Sequence, residues 1–182
     1  NVTGDGVSAT TAMKNVGGDT TSTFEAKATS GASGGDVGVA GSFALNVVHT
    51  LSEGVLKSAS ANAGTGAVAL GAANKTSSTV EAKASAGGSS TGVGASIGIN
   101  VAENVTRAEL ADGTPLTGGG TFSLTATGDH TADTETNSGA KAGTGVGGAI
   151  SIAVIDNTTT ARVGTGSPLD LTGGLSATAT HH

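Results

Sequence analysis

One glycine-rich stretch recurs three times along this chain. GVGASIGINV at residues 92–101 returns as GVGGAISIAV at residues 145–154, and VAGSFALNV at residues 39–47 is an earlier copy. The offset is 53 residues from the second copy to the third, with no gap, and 54 from the first to the second. A fixed period of this length is typical of solenoids, propellers and other repeat arrays. The chain is therefore predicted to be a repeat protein.

Within each copy, apolar residues alternate with small or polar ones. One face of the second copy would carry Val93, Ala95, Ile97, Ile99 and Val101, and the other Gly94, Ser96, Gly98 and Asn100. Strict alternation predicts a β-strand, whereas a helix would need a 3.6-residue period and would be weakened by each glycine. We predict strands throughout and no helix.

The apolar face is predicted to point into the core and the nearly bare face outward. A bare outward strip suits packing against another chain or sheet. We therefore predict a self-association face made of Gly94, Ser96, Gly98, Asn100, Gly147, Ala149 and Ser151.

The composition favours a thin core. Among 182 residues there are 32 Gly and three Phe but no Trp or Tyr, so few side chains could fill a thick globule at crystal-like density. The fold class predicted is all-β, a parallel β-solenoid with about two coils in each 53-residue repeat. At about 4.8 Å per coil, some seven coils would form a rod about 30–35 Å long. A β-sandwich of short strands is the alternative.

The repeats set the predicted domain organisation. Residues 1–180 form a single repeat-built segment, with repeats at 1–60, 61–114 and 115–167 and a partial copy at 168–180. The chain opens in mid-pattern, which suggests a piece of a longer protein. Residues 181–182, both histidine, are interpreted as the remnant of a purification tag.

Charge and hydropathy argue against two classes of partner. The net charge is −6 and the eight Lys and Arg residues are spread singly, whereas nucleic-acid binding needs a basic patch. No apolar run approaches the length that a membrane span requires, so we expect no membrane insertion. Cysteine is absent, so the redox compartment cannot be inferred from disulfides.

Several asparagines fit the glycosylation sequon. The triplets begin at Asn1, Asn74, Asn104 and Asn157. Asn104 and Asn157 occupy the same repeat position, so we interpret them as turn residues or members of an asparagine ladder, with the turn favoured.

Acidic residues in glycine-rich corners are weak candidates for calcium ligands, chiefly Asp112, Asp129 and Asp133. Neither the EF-hand loop nor the nonapeptide calcium repeat is present, and aspartate in such corners commonly satisfies turn amides. No metal or other cofactor is therefore expected.

No residue pattern predicts catalysis. His49 and His130 stand alone, and no Gly-x-Ser-x-Gly motif occurs. Glu25 and Lys27 are predicted to form a solvated same-face pair, which contributes little. A polysaccharide lyase would need sugar-stacking aromatic residues, so we predict that the protein is not an enzyme.

The Thr-x-Thr pairs at 125–127 and 178–180 resemble an ice-binding array, but the first copy has Gly-Ala-Ala at 71–73.

The repeats resemble those of a known family. The strand at 92–101, followed by Asn-Val-Thr at 104–106 or Asn-Thr-Thr-Thr-Ala at 157–161, a glycine-rich corner and Phe-Ser-Leu-Thr-Ala at 122–126, is similar to the repeats of giant bacterial filamentous adhesins of the leukotoxin-type β-strand-repeat class. The first copy departs from the pattern, with Val-His-Thr-Leu at 48–51 and no corner proline. The resemblance implies a β-solenoid in a long secreted or surface-tethered protein, and it brings no catalytic residues.

The expected function is that of a structural or adhesive segment of a large secreted or cell-surface filamentous protein, with self-association into fibres as a further expectation. Expected partners are other copies of the chain, flanking repeats, and a host or neighbouring-cell surface. The alternative is a module on the solenoid scaffold that binds calcium, a glycan or ice.

Overall fold

The computed structural model describes all 182 residues and contains twelve strands and no helix. The prediction of an all-β chain is confirmed. The strands are β1 Val2–Thr3, β2 Val7–Thr11, β3 Ser22–Ala32, β4 Val37–Leu56, β5 Ala61–Asn62, β6 Val68–Gly87, β7 Thr91–Leu110, β8 Leu116–Thr117, β9 Phe122–Lys141, β10 Thr144–Val163, β11 Leu169–Asp170 and β12 Leu175–His181. The chain contains no helix of the length and apolar character that a membrane span requires.

A complete coil combines one short strand with two long ones, and in the first coil the long back strand is divided into β2 and β3. In the second coil, for example, β5 has 2 residues, whereas β6 and β7 have 20 each. Stacking of the coils gives three parallel sheets. We call them the corner sheet (β1, β5, β8, β11), the back sheet (β2 and β3, β6, β9, β12) and the front sheet (β4, β7, β10). All pairings between these strands are parallel, as in a β-solenoid and unlike an antiparallel sandwich.

The strand register shows one coil per repeat. Strand β10 pairs with β7 without a slip from Thr144 opposite Thr91 to Val163 opposite Leu110, so each residue lies opposite its equivalent in the preceding repeat. Strands β4 and β7, and likewise β6 and β9, also pair at an offset of one whole repeat. The predicted β-solenoid is confirmed, but the prediction of two coils in each repeat is wrong, because a whole repeat is needed to return to the adjacent layer.

The coil is therefore wide and flat. A 20-residue strand spans about 65 Å, whereas three full coils and a partial fourth rise only about 15–20 Å along the stacking direction. The rod of about seven coils predicted from the sequence does not form. The chain is a slab that would grow at right angles to its strands.

The largest buried side chains lie at the end of the slab closed by the corner sheet. There the three sheets enclose a space wide enough for branched and aromatic groups. Its fully buried members include Leu70, Leu110, Leu116, Phe122 and Leu124. Burial of each such side chain stabilises the fold by about 1.5–3 kcal/mol, so this end is the main apolar core.

The opposite end, which we call the tip, is too thin for large residues. It lies at the turns 33–36, 88–90 and 142–143, where the chain passes from the back sheet to the front sheet. A Cβ atom added to Gly38 would lie 2.1 Å from the backbone oxygen of Gly87, and one added to Gly94 would lie 2.7 Å from that of Gly139. The two sheets here approach more closely than the ~10 Å of an ordinary pair, so glycine, alanine and serine fill the space next to the turns.

This thinness reverses the predicted faces of the front sheet. The bare face points inward, where Ser96 is 1% and Asn100 0% exposed, and the apolar face points to solvent. The prediction that Val93, Ala95, Ile97, Ile99 and Val101 form an inward ladder is wrong. In the back sheet the apolar positions do point inward, as Val68, Leu70, Phe122 and Leu124 show.

Candidate functional surfaces

The outer surface of the front sheet is apolar over its half next to the tip. The register aligns its outward residues into columns that cross the three strands. The exposed or half-exposed members are Val37, Val39, Phe43, Leu45, Val47, Val93, Ile97, Ile99, Val101, Val146, Ile150, Ile152 and Val154. A contiguous apolar surface of this kind commonly marks an interaction site. We call it the front face.

The outer surface of the back sheet is polar and laced with ion pairs across the coils. Lys27 contacts Glu25 at 3.0 Å and Glu81 at 3.0 Å, Glu81 also contacts Lys83, and Lys83 lies 3.5 Å from Glu135. The predicted pair of Glu25 and Lys27 is therefore confirmed. Hydrogen bonds from Lys83 and Lys27 lower the pKa of Glu81. This surface is well solvated and suited to face water.

A row of side chains with alternating charges lies on the front sheet near the corner. It runs Glu53, Arg107, Glu109, Arg162, Asp112, and each member contacts the next. The side chain of Glu109 is only 6% exposed and lies between two guanidinium groups, 3.3 Å from Arg107 Nε and 2.5 Å from Arg162 Nη2. The contact with Glu109 raises the pKa of Arg162. Glu109 therefore joins the second and third coils, and the contact between Arg107 and Glu53 extends the connection to the first coil.

Replacing Glu109 with glutamine should lower the urea midpoint of unfolding, because it leaves two guanidinium groups without their shared carboxylate. The difference from the wild type should shrink as NaCl is added. Glu135→Gln is the matched control. Glu135 lies at the exposed end of the ion pairs on the back sheet, so this change should alter the midpoint little. If Glu135→Gln lowered the urea midpoint more than Glu109→Gln does, the charged row on the front sheet would not stabilise the fold as described.

The middle of the slab interior holds a hydrogen-bonded polar ladder. Asn104 accepts hydrogen bonds at Oδ1 from Thr50 (2.6 Å) and Thr76 (3.2 Å), and its Nδ2 donates to Asn157 Oδ1 at 2.8 Å. Asn74 Nδ2 donates to Thr50 Oγ1 at 2.9 Å. The asparagine ladder is confirmed, but the favoured turn role is wrong because these residues lie in mid-strand. Since Asn74 and Asn104 are 1% and 2% exposed, their sequons are closed to modification in the folded chain.

His130 lies in the same interior layer. Its Nδ1 is 2.8 Å from Thr76 Oγ1, and its ring centroid is 5.5 Å from that of His181. Burial lowers the pKa of His130 below its ordinary value of 6.5, as does the nearby charge of His181, while Asp129 opposes the shift.

Stability should therefore fall on acidification below about pH 6.5, because the unfolded chain then binds a proton that folded His130 resists. The loss should continue until the pH passes below the folded pKa. His130→Thr, which copies Thr76 at the same register position, should flatten the dependence of the urea midpoint on pH below about pH 6.5. An unchanged slope in this variant would show that another group titrates.

The structure does not bring the calcium candidates together. Asp112 accepts hydrogen bonds from the backbone N–H and the hydroxyl of Thr165, and Asp129 lies 2.8 Å from Lys75 Nζ. Asp133 stands on the outer back surface. No group of three or more His, Cys, Asp or Glu side chains is placed to hold a metal ion. Asp112 instead bonds to a turn and pairs with Arg162, and Asp129 pairs with Lys75.

One cavity of about 190 Å³ opens on the back sheet, beside the loop between β2 and β3. Met13 and Thr20 of the loop line it together with Ala73, Lys75 and Thr127, and the Lys75–Asp129 ion pair borders it. The hydrogen bond to Asp129 raises the pKa of Lys75, so this amine is held as an ammonium and is not a nucleophile. The Thr-x-Thr residues lie nearby. Thr125 lies opposite Thr178 in one neighbouring coil but opposite Gly71 in the other, so the array does not continue into every coil.

The predicted self-association residues do not form an outward face. Gly94, Ser96, Gly98 and Asn100 are covered by the back sheet of the same chain. Gly147, Ala149 and Ser151 occupy the same inward positions of β10 and are exposed, because β12 covers only a part of this strand. The front face was not predicted from the sequence. It consists of the apolar residues of the alternating pattern, which were predicted to point inward.

Comparison with known proteins adds no relative, since no protein-family model, curated protein or solved structure matches the chain.

Proposed function

We propose that this chain is a non-enzymatic structural segment of a large secreted or cell-surface filamentous protein, in which stacked coils act as a stiff spacer and adhesive support. The observation that carries the proposal is the parallel register, which runs without a slip over the full length of β4, β7 and β10. Coils that repeat in this way can be added indefinitely. Stability then grows as a sum of terms within and between coils.

The two ends of the stack support growth by association. Strand β10 offers one free edge of the front sheet and β4 the other. An uncovered strand edge is a template for pairing with another chain. In the front sheet, β4 of one copy can pair with β10 of another in the register already used inside the chain, with β1 and β2 of the incoming copy giving way to β11 and β12, which already cover β8 and β9.

The extracellular or surface location, and the bacterial source, are supported by the resemblance of the repeats to filamentous adhesins. Adhesion to a host or neighbouring cell belongs to the same proposal. An outer back surface dense in ion pairs and a chain without cysteine are compatible with such exposure.

End-to-end growth can be tested with a proline at the free edge. The N–H groups of Thr144 and Gly164 bond to the neighbouring coil, so in β10 the odd-numbered residues direct theirs to the open edge. Ala149→Pro therefore removes an edge donor without breaking a bond inside the chain.

Negative-stain electron microscopy at rising concentration should show wild-type particles that lengthen along the stacking direction at constant width. The Ala149→Pro chain should stay short, with an unchanged circular dichroism spectrum. Compact wild-type monomers at every concentration would argue against assembly of filaments from the ends.

A further inference from the structure

We propose that two copies of this chain pair front face to front face, about a two-fold axis parallel to the stacking direction. The pairing is independent of the proposed function, because growth from the ends uses strand edges whereas this pairing uses the sheet surface. The first observation is the absence of charge. From Val37 to Val47, and at the register-matched positions of β7 and β10, every outward residue is apolar, glycine or threonine.

The second observation is the shape of the front face, on which small and large residues form separate columns. One column across the three strands holds only small residues: Gly41, Ala95 and Gly148. A Cβ atom added to Gly148 would meet nothing within 4 Å, and one added to Gly41 would meet only a backbone oxygen at 3.9 Å. This column is therefore an open groove that runs along the stacking direction.

The adjacent column holds the largest side chains of the face. It consists of Phe43, Ile97 and Ile150, and they are exposed. A ridge of large residues thus stands beside a groove of small ones, and both run across all three coils.

A two-fold axis between ridge and groove makes the face complementary to itself. It places the ridge of each copy in the groove of the other, so that Phe43 faces Gly41 and Ile97 faces Ala95. The same axis sets the column of Val39 against the column of Leu45, and that of Val37 against that of Val47. A two-fold axis along the strands would instead place every column against itself, with ridge on ridge and a void at the groove, which close-packed interfaces do not tolerate.

The charged end of the front sheet stays outside this interface. The next outward column, with His49, Glu103 and Asp156, would face position 35 of the partner, which lies beyond the start of β4. These groups therefore remain in water, and no like charges are brought together. The net charge of −6 disfavours the competing occupant, an anionic membrane surface.

The area is sufficient for a specific pair. The stretch from Val37 to Val47 on three strands covers about 36 by 14 Å, so each copy contributes about 500 Å² and the pair buries about 1,000 Å². That is the lower bound for a specific interface. Each further coil would add to it, since the axis runs along the direction in which the coils stack.

The groove offers a direct test by sedimentation velocity. Gly148→Leu fills the groove without reaching the core, so it should abolish the front-to-front dimer of the wild type and leave only association through the strand edges. Gly139→Leu is the matched control, since it makes the same change on the back surface, where an added Cβ would meet only a backbone oxygen at 3.8 Å. This control should dimerise like the wild type, and elongation from the ends should persist in both variants.

Cross-linking tests the register of the pair in a chain that has no cysteine of its own. A mixture of Val39→Cys and Leu45→Cys copies should be joined by a bis-maleimide about 10 Å long, the usual distance between packed sheets, because these columns face each other. Val39→Cys alone should not be joined, since the two sites would lie roughly 20 Å apart along the strands.

Three results would overturn the proposal. These are a wild type that stays monomeric up to about 100 μM, a front-to-front dimer, identified by the mixed Val39→Cys and Leu45→Cys cross-link, that survives Gly148→Leu, and flotation of a monomeric wild type with neutral phosphatidylcholine vesicles, which would assign the front face to a membrane instead. Loss of the dimer in Gly148→Leu, its retention in Gly139→Leu and the mixed cross-link would together support it.

Discussion

Replacing Gly38 with valine should destabilise the fold by at least about 3 kcal/mol, the largest effect expected of any single substitution at the tip. A Cβ atom at this position would lie 2.1 Å from the backbone oxygen of Gly87 and 2.7 Å from its carbonyl carbon. Backbone cannot move aside as the end of a side chain can, so the two sheets must separate. Equilibrium unfolding in urea, followed by circular dichroism, measures the loss.

Gly31→Val is the matched control for this experiment. Gly31 also lies in the first coil, but on the outer back surface, where an added Cβ would meet only a backbone oxygen at 3.9 Å. Valine favours strands, so the control should be as stable as the wild type or slightly more so. Equal unfolding midpoints for Gly38→Val and Gly31→Val would mean that the sheets at the tip are not in close contact.

Replacing Asn104 with alanine should cost about 2–4 kcal/mol. The change leaves the hydroxyl of Thr50 without its acceptor and the side-chain oxygen of Asn157 without its donor, and it removes one of the two contacts of the Thr76 hydroxyl, at a site only 2% exposed. Buried polar groups without partners carry their full desolvation penalty.

Asn137→Ala removes the same side chain from an exposed position of β9 and should change the unfolding free energy by less than about 0.5 kcal/mol. The difference between the two variants isolates the interior ladder. If Asn104→Ala unfolded at the same urea concentration as Asn137→Ala, the hydrogen bonds of the ladder would contribute nothing to stability.

The strand class and the parallel pairing could be predicted because they depend on local pattern and spacing. The alternation at Val93–Val101 indicates a strand, and the constant offset to Val146 is the register offset of β7 and β10. The first coil contains an insertion between β2 and β3. Before it, Val7 pairs with Val68 at a larger offset, and after it β3 and β4 share the offset at which Ser22 pairs with Thr76.

The number of coils in a repeat could not be predicted in the same way. Small side chains cannot fill a wide interior, and this argues against a coil made of a whole repeat only if such a coil must be wide inside. The structure flattens the coil instead, so that Gly38 lies against Gly87 and the interior is thin along most of its width. Sheet separation depends on long-range packing, and no local pattern reports it.

The face prediction failed for the same reason. Alternation shows that the two faces of a strand differ, but only the space available decides which face is buried. At the corner, where three sheets enclose Phe122 and Leu116, apolar residues are inside. At the tip that space is absent, so Ile97 and Val93 point outward and Gly94 and Gly98 point inward.

The axial rise per repeat tests the central claim, that one repeat makes one coil. Chains with two, four and eight added copies of residues 115–167, inserted before Pro168, keep the phase of the repeat because Leu116 and Leu169 are already in register. Cryo-electron microscopy or small-angle scattering would give their length along the stacking direction. We predict an increase of about 4.8 Å for each added copy at constant width, whereas about 9.6 Å per copy would contradict the single-coil repeat.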